Sequence, residues 1–152
     1  MSLQLDFTVF DSAGQLAAIA EVTTIRGVSR EWAAEFRRNL LEHGGDGHPV
    51  FFLIVTPDRI FLWKNAGMIP ELVEPHYEIN AQPVFKPYFY AARINESRIE
   101  RFTFEMIVAA WLNNLALVRD PVTELPIHER AFIDSGFVGA IRRGKVEHEV
   151  VV

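Results

Sequence analysis

Residues 3–27, LQLDFTVFDSAGQLAAIAEVTTIRG, have the pattern of a β-hairpin carrying acidic residues on both arms. Leu3, Leu5, Phe7 and Val9 alternate with Gln4, Asp6, Thr8 and Phe10, the period-two signature of a half-buried strand. Asp11-Ser12-Ala13-Gly14 carries turn chemistry, and Gly14 is free to adopt a positive φ. Leu16 to Thr24, rich in small and apolar residues, returns as the second arm. Strand periodicity places Glu21 and Thr23 on one face. If the loop is even-numbered, Asp6 pairs with Ile19, and Asp6 and Glu21 become diagonal neighbours within reach of one divalent ion. A one-residue bulge at Gly14 changes that register. Two hard oxygen ligands with room for water suit Mg²⁺ or Mn²⁺. An ion so placed activates water and neutralises charge at a phosphodiester. The competing reading leaves Asp6 an exposed strand residue and Glu21 a strand-end charge.

Beyond the hairpin, Gly27 and Ser29 break the strand, and Ser29 is a good N-cap for a helix over residues 29–43. Trp32, Phe36 and Leu40 fall at helical spacing with Ala33 beside them, so this face is expected on the sheet. Arg30, Arg37, Arg38 and Glu42 lie mostly off it. Gly44-Gly45 ends the helix. Val50-Phe51-Phe52-Leu53-Ile54-Val55 is a continuous apolar run suited to a central strand buried on both faces. Thr56-Pro57-Asp58 is a turn, and residues 59–64 form the next strand. Residues 65–91 hold Pro70, Pro75, Pro83 and Pro87, which predicts loops and at most short edge pieces. Ser97-Arg98-Ile99-Glu100 has the form of a capping box. Ile99, Phe102, Met106, Ala109, Ala110, Trp111 and Leu115 then predict a largely buried helix to about Leu117, stopped by Asp120-Pro121. The tail reads as a short helix, a break at Gly136 and a last strand at Val146 to Val152.

At 152 residues the chain is expected to be one domain, 1–152, with a core over 3–64 and a C-terminal helical extension over 97–152. Its 49% apolar and 23% charged composition is that of a globular protein. The absence of cysteine excludes disulfides, thiolate metal sites and a cysteine nucleophile. MSLQLDF lacks the basic-then-apolar run of a signal peptide, and no apolar run is long enough to cross a bilayer. A cytoplasmic protein without a membrane partner is therefore expected. The net charge of −5 counts against a constitutive DNA binder, although an acidic metal centre with a local basic wall is compatible with it.

Asp6 and Glu21, set in the order strand, turn, strand, helix, apolar strand, resemble the PD-(D/E)XK nuclease superfamily. PVFFLIVTPDRIFLW after an amphipathic helix is similar to bacterial members of unknown function in that group. The similarity covers roughly the first 65 residues, and the motif alone is short. The resemblance implies an α/β, restriction-endonuclease-like mixed sheet flanked by the 29–43 and 97–117 helices. It implies that Asp6 and Glu21 bind Mg²⁺ and that the chain is a DNA phosphodiesterase. Thr23 stands where the superfamily has a lysine that orients water and stabilises charge, and Leu5 stands where proline is usual. Members move functional groups to nearby elements, so Arg26, Arg37 or Arg38 can stand in for the lysine and Glu35 can join the metal. Loss of the cation predicts a weakened or inactive enzyme. The alternative is a non-catalytic nuclease-like scaffold for protein interaction or oligomerisation. The superfamily places a helix before the first strand, where this chain begins; with the apolar tail, that makes a homodimer an expectation.

Other features have plainer explanations. His43, Asp46 and His48 read as a Gly-rich loop rather than a metal site. Arg37 and Arg38 read as a solvated helix face, with Glu35 and Glu42 at pairing distance from Arg38. Ile141-Arg142-Arg143-Gly144-Lys145 reads as a polar turn.

Overall fold

The alternating arm from residue 3 becomes strand β1, Phe7–Phe10, and the return arm becomes β2, Leu16–Val22. The structure, a computed structural model, describes residues 5–44 and 47–149. Asp11 closes the hairpin: its side chain accepts from the Ala13 and Gln15 N–H groups, and Gly14 takes a φ of +83°. The register differs from the even-loop expectation. Phe7 pairs with Ala20, Thr8 with Ile19 and Val9 with Ala18, but Phe10 pairs with Leu16. The extra residue therefore lies at Ala17, in the second arm rather than at Gly14. Continued past Phe7, this register sets Asp6 opposite Glu21 instead of opposite Ile19.

Ser29 caps helix α1, Arg30–Leu41, by accepting from the Trp32 N–H at 3.1 Å. Such a cap contributes about 1 kcal/mol. The buried stripe of α1 is Ala33, Ala34, Arg37 and Leu41; Trp32, Phe36 and Leu40 are only half-buried at its margin. The helix is thus rotated from the expected orientation, and Arg37 points inward. Its guanidinium lies over the edge-to-face pair of Phe52 and Trp63, 5.7 and 5.8 Å from their centroids. It donates to the carbonyls of Gly67 at 2.8 Å, Glu71 at 3.3 Å and Ala66 at 3.4 Å. Backbone acceptors take the place that a carboxylate would fill. Burial nevertheless draws the Arg37 pKa below the ordinary arginine value, against the opposing charge of Glu71.

Strand β3, Phe51–Val55, is buried throughout and runs parallel to β2 across the α1 crossover, as its unbroken apolar sequence predicts. The Thr56–Arg59 turn leads into β4, Arg59–Lys64, which pairs antiparallel with β3. Strand β5, Tyr77–Asn80, forms one edge. A helix expected to be absent follows: α2, Gln82–Ala92, contains both Pro83 and Pro87. Pro83 lies in the first turn, where no N–H partner is needed, and Pro87 leaves one carbonyl without its helical donor. Burial of Val84, Phe85 and Phe89 outweighs that loss.

Helix α3, Arg101–Ala116, ends close to the expected Leu117 but begins four residues later than the expected 97, and its entry does not form a capping box. Asn95 instead caps a single 3-10 turn, Glu96–Arg98, through the Ser97 N–H. Phe102 and Met106 face outward, while Phe104, Ile107, Val108, Trp111 and Leu112 are buried. Short helices α4 (Pro121–Glu124), α5 (Arg130–Asp134) and α6 (Phe137–Ile141) follow, with a 3-10 turn at Ile127–Glu129 before α5. Strand β6, Lys145–His148, then pairs antiparallel with β1. Gly144 is required there, because a Cβ would lie 1.9 Å from the Phe10 carbonyl oxygen. The expected last strand thus begins one residue early, and its end at Val150 to Val152 lies outside the described residues.

The sheet order is β5-β4-β3-β2-β1-β6. The chain is a single α/β domain with a mixed six-stranded sheet. Helix α1 packs on one face over Ile19, Phe52, Ile54, Phe61 and Trp63. Helices α2, α3, α5 and α6 cover the other face, where Phe85, Phe104, Trp111, Phe132 and Phe137 build an aromatic core. Among the described residues no helix is long and apolar enough to cross a membrane.

Candidate functional site

The hairpin register brings Asp6 and Glu21 together at the end of β1. The Asp6 carboxylate accepts from the Val22 N–H at 2.7 Å, and the Asp6 N–H makes a long contact of 3.4 Å with Glu21 Oε2. Both side chains are largely covered, Asp6 being 13% exposed and Glu21 10%. Two carboxylates held this way repel each other strongly. Burial, reinforced by the neighbouring Asp6 charge, pushes the Glu21 pKa up to about 8, against the pull of Arg101.

Arg101 is the cation of the site. It opens α3, so its side chain extends back off the helix start. Its Nη2 lies 3.1 and 3.2 Å from the two Asp6 oxygens and 3.5 Å from Glu21 Oε1. Burial acts against the charged form, but Asp6 and Glu21 outweigh it and raise the Arg101 pKa. The Arg101 side chain is 57% exposed, so the guanidinium sits as a lid on carboxylates that are themselves covered. One turn further along α3, Glu105 lies 3.6 Å from His148 Nε2, and His148 stacks on Phe7 with ring centroids 4.5 Å apart. Burial and the adjacent Asp6 raise the Glu105 pKa.

The residues anticipated from sequence divide clearly. Asp6 and Glu21 meet. Thr23 sits just past β2, its N–H donating to the Val55 carbonyl and its hydroxyl accepting from the Ile25 N–H at 3.4 Å. Arg26 donates to the Glu96 carbonyl rather than to either acid. Arg37 is committed to the carbonyls of Ala66, Gly67 and Glu71, and Glu35 lines a recess with Glu31, Leu72 and Glu74. Asp46 lies outside the described residues. Arg101, Glu105 and His148 were not anticipated. They come from segments 80 or more residues beyond Glu21, and nothing in their local pattern links them to it.

The pair fits a divalent ion bound by two carboxylates and water. Burial and then the Asp6 charge hold the Glu21 pKa up against Arg101, and a divalent cation bound between the two acids would displace that proton. Among the described residues no group of three or more His, Cys, Asp or Glu is arranged to hold a metal, so the protein offers no closed cage. An ion held by Asp6 and Glu21 would supply charge neutralisation at a phosphoryl oxygen.

The Glu21 shift has a testable sign. The folded chain keeps a proton that the unfolded chain releases near 4.5. Its contribution to stability is therefore full below about 4.5, falls as pH rises toward about 8, and is lost above it. In buffer with chelator, urea midpoints should decline across that window by the equivalent of roughly 2–4 kcal/mol. Glu21→Gln should flatten the decline. An equally steep decline in the variant would assign it to another group.

Comparison of the chain with protein families, curated proteins and solved structures finds no match.

Proposed function

We propose that the chain is a nuclease-superfamily protein of restriction-endonuclease-like fold: a Mg²⁺-dependent DNA phosphodiesterase of weakened activity. Asp6 and Glu21 hold the ion. Arg101, entering from α3, supplies the positive charge that Thr23 does not. The observation that carries this reading is a single guanidinium within 3.5 Å of both carboxylates. The order of hairpin, crossover helix and parallel buried strand supports the fold assignment.

Titration calorimetry with Mg²⁺ and with Mn²⁺ tests it. The wild type should bind one ion, and Glu21→Ala should bind at least about 10-fold more weakly, since one of two charged ligands is gone. Equal binding by the two proteins would move the ion elsewhere. A second reading, a non-catalytic scaffold, is favoured by the fact that Arg101 alone already bonds both carboxylates. No binding to either protein decides for the scaffold.

A further inference from the structure

Against α2 lies a recess of about 470 Å³, lined by Val84, Pro87, Tyr88, Ala91, Asn114, His128 and Glu129, among others. That volume is in the range of small-ligand pockets. Its walls are largely apolar, and its polar side chains are Tyr88, Asn114, His128 and Glu129. Glu129 is 92% buried by relative area (8% exposed), although it is a charged residue. One of its oxygens accepts from the Trp111 indole N–H at 3.0 Å. Among the described residues the other oxygen accepts no hydrogen bond, so it is open to the recess, and Glu129 forms no ion pair. The Tyr88 hydroxyl accepts from Asn114 Nδ2 at 2.8 Å. Pro87 has no N–H to return to the Pro83 carbonyl one turn earlier.

A buried carboxylate without a cation is costly unless something supplies one. The Trp111 N–H meets part of its demand and carries no charge. Arginine and lysine are absent from the lining, and its one imidazole, His128, makes no ion pair with Glu129. We propose that this recess is a binding site for a small organic cation, an amine with a short apolar body. Its ammonium donates to the second oxygen of Glu129, and its body lies on Pro83, Val84, Pro87 and the Tyr88 ring. The site is independent of the acidic pair at Asp6 and Glu21, and its test needs neither metal nor nuclease activity.

Binding is read by NMR on the ¹⁵N-labelled full chain, following the Trp111 indole N–H, with n-butylammonium chloride, 1-butanol and sodium butyrate as probes. The amine should shift this resonance in a saturable way at millimolar concentration. The alcohol should bind at least about 10-fold more weakly and butyrate not at all, since only the charge differs. Glu129→Gln should weaken the amine by a similar factor. Ala91→Met, which narrows the recess from α2 while sparing Glu129, should do so as well and guards against misfolding of the first variant. Equal shifts from amine and alcohol, unchanged affinity in both variants, or no shift from the amine would each overturn the proposal.

Discussion

An Arg37→Met chain should lose about 3–4 kcal/mol of stability, the sum expected when three carbonyls lose their donor at a buried site. The methionine fills much of the space that Arg37 takes over the Phe52 and Trp63 rings, so packing is largely kept. What it does not supply is the donor to Ala66, Gly67 and Glu71. Two effects oppose each other. Removing a guanidinium whose pKa burial has already lowered recovers desolvation free energy. Freeing the carbonyls forces the 66–71 segment to seek water, which also unseats the Val73 carbonyl that Trp63 Nε1 holds at 2.7 Å. The second effect should win, because a lone cation replaces three separate backbone partners. Urea denaturation measures it, and a loss below about 1 kcal/mol would show that the segment holds itself.

For catalysis the largest expected effect is at Arg101. If the acidic pair works as proposed, Arg101→Ala should lower the phosphodiesterase rate by about 10²–10³, the usual cost of one charge-stabilising group. The same change should tighten Mg²⁺ binding several-fold, because the guanidinium now occupies the space over both carboxylates. Opposite movements of rate and ion affinity distinguish this role from simple loss of structure. Adding Thr23→Lys to Arg101→Ala should restore part of the rate by returning a cation from β2. A rate unchanged by Arg101→Ala would remove Arg101 from the reaction, and no rate in any variant would leave the scaffold reading.

Local patterns made part of this legible. The hairpin, the buried β3 and the body and end of α3 follow from short-range periodicity, which needs no knowledge of distant partners. The acidic pair was foreseen, but its geometry was not: a five-residue loop, 11–15, and one extra residue at Ala17 together move the partner of Asp6 from Ile19 to Glu21. Bulges of that kind leave little trace in composition. Helix α2 was hidden by Pro83 and Pro87, whose local cost is offset only by a core assembled from α3 and α5. Arg37 carries a charge, and a hydrophobic-face argument puts charge outward; only the backbone carbonyls of residues 66–71 reverse that. Arg101 was illegible for a related reason. Its function depends on where the first turn of α3 lands, and that is set by packing of the apolar residues behind it.

The pairing of β6 with β1 bears on how the molecule is made. His148 lies opposite Phe7, 141 positions later in the chain. During synthesis β1 and β2 can form their hairpin early, and α1 can bring β3 alongside. Until β6 emerges, however, β1 remains an open edge, with Phe7 lacking the ring that stacks on it and Glu105 lacking its histidine. Such long-range closure is slow compared with local pairing. Nascent chains therefore carry the acidic hairpin for most of translation before its neighbourhood is complete, and an unpaired strand exposed that long is an attachment point for chaperones or for another nascent copy.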